Sequence, residues 1–316
     1  MKKISGSWFE FQHHNVAEGK YWNPAFRTMK AAQWNALVDE MAEFGLEYLV
    51  LLCVAQDVKT YYPSSRFEPF GMAEDDLVEI LLSACDRNKI KVFMPNDYFG
   101  NWVDSPEMFG DPKVIERRIF ATEEIFSRYG HHPSFYGWYL PNEAAALPYF
   151  EDVFIKYVNE NRRQFRSLAP EKPLLIAPYG TCKLIADDKY CRQLEEIDAD
   201  IFAYQDEVGV QKTTSDLTPR FYEALRRAHD KVGNRALWAD VEMFEFEGQV
   251  YHSPLLSAAP ARVEKQLASV SPFVDKILIY EYPGIINKPG SAAYQAQPGS
   301  GELYAALLAN QKRAGK

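Results

Sequence analysis

Eight short apolar runs alternate along the chain with longer segments in which apolar residues recur every three or four positions. The short runs are typical of buried strands, and the longer segments are typical of amphipathic helices. The predicted strands are Ile4–Phe11, Tyr48–Ala55, Lys91–Asn96, Phe135–Leu140, Leu174–Pro178, Ile201–Gln205, Ala236–Val241 and Lys276–Tyr280. The predicted helices are Ala31–Phe44, Asp75–Asn88, Val114–Tyr129, Tyr149–Leu168, Asp188–Ile197, Pro219–Val232, Ala259–Val270 and Ala292–Leu308.

A strand followed by a helix, repeated eight times, predicts an α/β fold of the (β/α)8 TIM-barrel type. Gly45 fits the end of the first helix, and Asp111 followed by Pro112 fits the start of the third. A doubly wound open sheet is the alternative, but no glycine-rich nucleotide-binding loop follows the first strand. Because no linker or repeat divides the sequence, we predict one catalytic domain over residues 1–316.

The amino-acid composition limits the classes of molecule that the protein is expected to bind. The net charge of −9 argues against nucleic acid, whose phosphates require a basic surface. No apolar run is long enough to span a bilayer, so we predict no membrane partner. Aromatic residues make up 14% of the chain, and aromatic faces suit the apolar faces of sugars.

The sequence says less about the cellular compartment and the oligomeric state of the protein. The four cysteines form no CxxC pair, which fits a reducing compartment. The first residues are too polar for a secretory leader, so we expect a cytoplasmic location, or a periplasmic or secreted one if a leader was removed. The pattern makes no prediction of the oligomeric state.

Polar clusters follow the predicted strands, at the end of the barrel where TIM-barrel chemistry takes place. These clusters are rich in carboxylates, amides and phenols, and they contain few basic residues. Such a ring suits a neutral, polyhydroxylated substrate whose transition state gains positive charge. Two predicted loops, Asp57–Gly71 and Ile286–Gly301, would lie at the same end.

Glu143 is the candidate acid/base. It follows the aromatic strand Phe135–Leu140 within the sequence Pro141-Asn142-Glu143, and neighbouring aromatic residues would raise its pKa by desolvation. Glycoside cleavage needs one protonated carboxyl group for the leaving oxygen and a second, ionised one to attack the sugar or activate water. An ordinary helix-capping role for Glu143 is the alternative.

Glu242 is the candidate nucleophile, since it ends the apolar strand almost opposite that of Glu143. Asp240 shares its side parity and is predicted to lie deeper in the barrel as support. The carboxylates that could replace Glu242 are Asp206, Glu207, Glu245 and Glu281. If the second catalytic carboxylate is one that lies farther from Glu143, we expect the reaction to invert the configuration at the anomeric carbon instead of retaining it.

Other polar and aromatic residues at the strand ends are predicted to contact the sugar. The predicted substrate-binding residues are Glu10, Gln12, Asp97, Tyr98, Trp138, Asn142, Gln205, Asp206, Trp238, Glu281 and Tyr282, with Gln56, Trp8 and Trp102 as further candidates. His13 and His14 are adjacent, and adjacent strand residues point to opposite faces, so the pair is predicted to be a poor joint metal site. The pair His131 and His132 is predicted to form the turn into the fourth strand.

Two stretches, Trp138-Tyr-Leu-Pro-Asn-Glu143 and Tyr204-Gln-Asp-Glu-Val-Gly209, carry a resemblance to known proteins. The chain resembles the retaining glycoside hydrolases of clan A, and more narrowly an uncharacterised bacterial family of glycosidase-like barrels. In that clan the acid/base is a Glu preceded by Asn after strand four, which matches Asn142-Glu143. Its nucleophile is a Glu at the end of strand seven, which fits Glu242. The resemblance therefore implies a retaining hydrolase of glycosides or oligosaccharides, with no metal and no cofactor.

Two other functions remain open. A sugar isomerase or epimerase on the same fold could bind Mn²⁺ or Mg²⁺ through the carboxylates Glu143, Asp206, Glu242 and Glu281. Such sites usually add a His and a Lys, and EDTA would abolish their activity. The non-enzymatic alternative is an inactive barrel that binds sugar without turnover.

Overall fold

Eight parallel strands close into a barrel in the computed structural model, which describes residues 1–293 and 297–314. We number them β1 to β8 in chain order: Ile4–Phe9, Tyr48–Leu51, Lys91–Pro95, Phe135–Leu140, Leu174–Ile176, Ile201–Gln205, Ala236–Glu242 and Lys276–Tyr280. Each strand pairs in parallel with the next along the chain, and β8 pairs with β1. The predicted (β/α)8 TIM barrel is confirmed.

One long helix follows each strand and packs outside the barrel. These helices are Ala31–Phe44, Leu77–Asn88, Pro112–Tyr129, Asp152–Leu168, Asp188–Glu196, Thr218–Val232, Pro260–Val270 and Ser300–Ala314. Short helices at Asn23–Phe26 and Ser105–Gly110, and a 3-10 turn at Thr181–Lys183, lie in the connections. Both predicted helix boundaries are confirmed, since Asp111 accepts hydrogen bonds from two backbone N–H groups and Gly45 adopts a φ of 99°.

The observed strands differ from the predicted ones at their ends. The apolar run after Tyr48 continues to Ala55, but the barrel strand stops at Leu51 and a small hairpin begins at Ala55–Gln56, paired with Lys59–Thr60. A second hairpin, Phe244–Phe246 with Leu255–Ser257, follows β7 and was not predicted. The apolar run cannot show where β2 ends, because the residues from Leu52 to Ala55 are as apolar and as buried as those of the strand itself.

The last predicted helix also differs. It was expected over Ala292–Leu308, but it begins at Ser300, and residues 294–296 lie outside the described part of the chain. The predicted loop Ile286–Gly301 overlaps the same three residues. His131 and His132 lie in the turn before β4, as predicted. The four cysteines are free thiols.

Two layers of apolar side chains form the core. The larger one lies between the strands and the helices. The smaller one fills the barrel interior with Trp8, Tyr48, Phe93, Trp238 and Leu278 among others. Because this inner layer closes the barrel, the polar residues after the strands form the wall of a cavity and not of a channel.

Candidate active site

A cavity of about 480 Å³ opens at the carboxyl ends of the strands. Its walls combine carboxylates, aromatic rings, two histidines and one lysine. The lining residues are His13, His14, Glu18, Leu52, Tyr98, Trp102, Val103, Pro141, Glu143, Tyr179, Gln205, Val210, Lys212, Asp240, Glu242, Phe244, Tyr251, Leu255 and Tyr280. Both predicted catalytic carboxyl groups, Glu143 and Glu242, are therefore in one cavity.

Glu143 is held by its own strand and by β6. The hydroxyl of Tyr139 donates a hydrogen bond to Glu143 Oε1 at 2.9 Å, and the side-chain amide of Gln205 donates to Oε2. Burial of the carboxyl group raises its pKa to about 7, while these two hydrogen bonds and the charge of Lys212 oppose the rise. A carboxyl group with this pKa is protonated about half the time near neutral pH, as a general acid/base requires.

Glu242 ends β7 and contacts the loop after β6. The backbone N–H of Val210 donates to Glu242 Oε2 at 2.8 Å. A Cβ atom at Gly209 would lie 2.9 Å from Glu242 Cβ and from Oε2, so glycine allows the loop to approach this side chain. Burial, followed by repulsion from Asp206, raises the pKa of Glu242 to about 8.

Asp206 is fully buried behind Glu242 and does not line the cavity. Its Oδ2 accepts a hydrogen bond of 2.7 Å from Gln266, and its Oδ1 accepts one of 3.2 Å from the backbone N–H of Glu242. Burial raises its pKa to about 6. Because the two carboxyl groups repel each other, ionisation of one of them disfavours ionisation of the other. The predicted substrate contact is instead a supporting residue.

Asp240 lines the cavity, although the sequence predicted a deeper, supporting position. Among the residues described by the structure, none forms a hydrogen bond with its Oδ1. Burial, with repulsion from Glu143 and Glu242, raises the pKa of Asp240 well above its usual range. Three carboxyl groups thus interact in the same space, and they cannot all be ionised at little cost.

Asn142 points away from the cavity. Its amide donates to Asp97 Oδ2 and, at 3.0 Å, to the hydroxyl of Tyr157. Arg118 also donates to Asp97 Oδ2, at 3.0 Å. The predictions that Asn142 and Asp97 contact the sugar are corrected, because both belong to a buried network that anchors the loops after β3 and β4.

Comparison with known proteins supplies the family. A family model described as a domain of unknown function, DUF4434, matches residues 4–293. The chain belongs to the DUF4434 family. This agrees with the resemblance to an uncharacterised family of barrels. No curated protein sequence matches the chain.

Solved structures similar to this DUF4434 chain are described as glycoside hydrolases. A Bacteroides thetaiotaomicron protein described as a "putative alpha-L-fucosidase" has a TM-score of 0.79 and 18% identity, over 98% of this chain and 94% of the other. A beta-galactosidase from Marinomonas ef1 has a TM-score of 0.63 and 10% identity, over 100% of this chain and 60% of the other. A beta-galacturonidase from Eisenbergiella tayi has a TM-score of 0.59 and 12% identity, over 99% and 51%. These similarities establish a shared barrel fold.

Several predicted substrate contacts of the DUF4434 chain lie outside the cavity wall. The Trp138 ring stacks on Phe165 with centroids 4.4 Å apart, on the outer side of β4. Tyr282 packs against Phe44 at 5.6 Å, also outside the barrel. The alternation of side chains along β4 explains the position of Trp138, because residues of this parity face the helices, whereas Tyr282 lies beyond the end of β8, where the alternation no longer applies. Both predictions are corrected.

Three further predictions are corrected by burial inside the protein. Gln12 accepts a 2.6 Å hydrogen bond from Arg27. Trp238 packs against Tyr48 in the barrel interior at 5.2 Å, and Trp8 lies in the same layer. These three side chains shape the fold beneath the site.

The residues that could replace Glu242 do not line the cavity either. Glu207 accepts hydrogen bonds from the backbone N–H groups of Gly180 and Cys182 at 3.0 and 3.2 Å, and so it holds the loop after β5. Glu245 is exposed on the hairpin after β7. Glu281 is fully buried next to Glu10, beneath the cavity wall.

Some lining residues were not predicted. Lys212 contributes a cation near the ring of Tyr179, with Nζ 5.1 Å from its centroid. Glu18, Tyr251 and Tyr280 also reach the cavity. Only Tyr280, as the last residue of β8, had a positional signal in the sequence; the others lie in loops whose paths depend on tertiary contacts. Within residues 1–293 and 297–314, no helix has the length and apolar character to cross a bilayer.

Proposed function

We propose that this chain is a glycoside hydrolase in which Glu143 is the acid/base and Glu242 the nucleophile. The observation that carries the proposal is that the half-buried Glu143 carboxyl group, whose pKa desolvation raises to about 7, lines the same cavity as Glu242. An acid that donates to a leaving oxygen and later accepts a proton from water needs a pKa near the working pH.

The proposed reaction has two steps. Glu143 donates its proton to the glycosidic oxygen while a Glu242 oxygen bonds to the anomeric carbon, and the bond to the leaving group breaks. Water then attacks the glycosyl-enzyme, Glu143 accepts its proton, and Glu242 is released. The attack requires an ionised Glu242. Burial and repulsion from Asp206 raise the pKa of Glu242 and work against this, whereas the positive charge that develops on the sugar in the transition state favours the ionised form. The backbone N–H of Val210 favours this charge on Glu242.

The cavity wall supports a sugar as the substrate. Trp102, Tyr98 and Tyr179 offer aromatic surfaces, and Gln205 offers an amide beside the acid. The structural relatives are described by the names of enzymes that act on fucosides, galactosides and galacturonides. We propose that hydroxyl groups of such a substrate donate hydrogen bonds to the cavity carboxylates, and that Gln205 and Tyr98 also contact the substrate.

A panel of aryl glycosides tests the proposal. The wild type should release the phenol from at least one of them, and Glu143→Gln and Glu242→Gln should each reduce kcat/KM by at least about a hundredfold. Glu245→Gln, on the exposed hairpin, is the matched control and should retain activity.

Azide separates the two roles. With Glu242→Ala, azide should attack the anomeric carbon and yield a glycosyl azide of inverted configuration. With Glu143→Ala, it should intercept the glycosyl-enzyme and yield the retained configuration. Exchanged configurations would reverse the assignment. Full turnover by Glu143→Gln, or sugar isomerisation that EDTA abolishes, would refute the hydrolase.

A further inference from the structure

Asp240 lies at the closed end of the cavity, on the same side of β7 as Glu242. It is two residues before Glu242, which places its Cα about 7 Å deeper along the strand. In the pairing of β7 with β8, Glu242 lies beside Tyr280 and Asp240 lies beside Leu278. Leu278 belongs to the apolar layer that fills the barrel interior. Asp240 lines the cavity, and it therefore marks the level at which the cavity ends.

The carboxyl group of Asp240 has no partner within the described part of the chain. Asp240 is only 2% exposed, and no described residue donates a hydrogen bond to its Oδ1. Burial and the charges of Glu143, Glu242 and Asp206 raise its pKa, and no hydrogen bond from a described residue opposes the rise. A buried carboxyl group without a hydrogen bond is costly to the folded protein. Since this group faces a cavity, we expect a ligand to provide the missing hydrogen bonds.

Two histidines of the cavity wall are arranged differently from Asp240. β1 ends at Phe9, and His13 and His14 lie in the following loop with their ring centroids 4.7 Å apart. The strand alternation from which the sequence placed them on opposite faces therefore does not apply to them. The ring nitrogens of His13 are 2.9 Å from Glu10 Oε1 and 3.0 Å from Glu18 Oε2. His13 thus has two partners within the protein.

We propose that Asp240 determines specificity by binding hydroxyl groups of a neutral sugar at the non-reducing end of its chain, which makes the enzyme exo-acting. This inference rests on the proposed hydrolase, in which a Glu242 oxygen bonds to the anomeric carbon. With that carbon at the level of Glu242, the hydroxyl groups on the far side of the sugar ring point towards Asp240. They donate hydrogen bonds to its carboxyl oxygens.

The packing below Asp240 supports the exo-acting mode. Trp238 is the preceding inward-facing residue of β7, and its ring packs against Tyr48 and Phe93 at 5.2 and 6.0 Å. Leu52 belongs to the same apolar layer and also lines the cavity. A sugar hydroxyl group that reaches Asp240 therefore has no space beyond it for a further sugar residue. The rest of the substrate must leave through the open mouth, on the leaving-group side.

The charges around the closed end favour a neutral sugar over a uronic acid. The charges of Glu143 and Glu242 already repel that of Asp240, so a sugar carboxylate would add a fourth acidic group. The wall also contains Lys212, but its Nζ lies 3.6 Å from Glu207 Oε1, which balances its charge. We therefore expect the site to discriminate against a carboxylate on the terminal sugar.

Saturation-transfer NMR with free sugars tests the Asp240 contact without any turnover. The wild type should bind at least one of L-fucose, D-galactose and D-glucose about tenfold more tightly than D-galacturonate or D-glucuronate. Asp240→Ala should weaken binding of that neutral sugar at least about tenfold, and its urea midpoint should stay close to that of the wild type. Asp75→Ala, at an exposed position, is the matched control and should bind like the wild type. Preferred binding of a uronate, equal binding by Asp240→Ala, or no binding of any neutral sugar overturns the proposal.

Oligosaccharides labelled at the reducing end test the exo-acting mode. They are built from the sugar whose aryl glycoside the wild type cleaves. The wild type should release one unlabelled monosaccharide at a time, so that the labelled chain shortens by one residue per step. Early labelled products that are shorter by several residues would show internal cleavage and overturn this mode. If no aryl glycoside is cleaved, the hydrolase itself fails, whereas the NMR result still decides the Asp240 contact.

Discussion

Replacement of Glu143 by Gln should make the protein more stable at alkaline pH. The carboxyl group is half-buried in the cavity wall, and the surrounding protein removes enough water to raise its pKa from the ordinary 4.5 to about 7. The folded state therefore disfavours the ionised form. The neutral carboxyl group contributes to the free energy of unfolding. This contribution is fully present below about pH 4.5 and is lost as the pH rises through about 7. Glutamine has nearly the same shape and never ionises.

The magnitude follows from the two pKa values. The difference between about 7 and 4.5 corresponds to about 3 kcal/mol of unfolding free energy at pH 8 and above. Glutamine can still accept the hydrogen bond from Tyr139. Gln205, which donates to Glu143 Oε2, must rotate its amide to accept a hydrogen bond from the new side chain. The gain should therefore approach, and not exceed, about 3 kcal/mol.

Urea unfolding at pH 4.5, 6 and 8 measures the effect. The variant and the wild type should be almost equally stable at pH 4.5, and the variant should gain stability progressively towards pH 8. Glu123→Gln, on an exposed position of Pro112–Tyr129, is the matched control and should change little at any pH. Equal stability at pH 8, or a gain independent of pH, would refute the burial of Glu143 as the cause.

Three other substitutions probe the same cavity. Asp206→Asn removes the repulsion that helps raise the pKa of Glu242, so the acidic limb of the kcat/KM profile should move to lower pH. An unchanged limb would contradict this repulsion. Gly209→Ala places a Cβ 2.9 Å from Glu242 and should reduce kcat at least about tenfold, whereas Gly110→Ala, with open space around it, should not. Trp102→Ala should raise KM for the active aryl glycoside and leave the urea midpoint nearly unchanged, because this ring lines the cavity. A lower midpoint without a change in KM would assign Trp102 to the fold.

The carboxylates at this end of the barrel fall into two groups, those that line the cavity and those that lie behind its wall. Glu143, Asp240 and Glu242 face the space itself, while Asp97 and Asp206 lie behind the wall and hold backbone or amide groups. In the proposed hydrolase the supporting carboxylates set the position and the charge of the reacting ones. Substitution of either kind would reduce activity, so pH profiles and stability are needed to tell them apart.

The sequence alone determined the barrel and the position of Glu143 at the carboxyl end of its fourth strand. The alternation of apolar runs and amphipathic segments is a local property, and it predicted all eight strands within a few residues. The sharp end of the strand Phe135–Leu140 also marked Glu143, because parallel strands must present their carboxyl ends on one face.

Only the tertiary structure decided which polar side chains face that space. Strand parity turns Trp138, within β4, outward onto Phe165. Asn142 and Tyr282 lie just beyond strand ends, but Asp97 holds Asn142 and Phe44 packs against Tyr282, both away from the cavity. His14 reaches the cavity because the chain leaves the strand at Phe9, and Lys212 reaches it from a long loop. The direction of a side chain beyond a strand depends on contacts distant in sequence, so no local pattern encodes it.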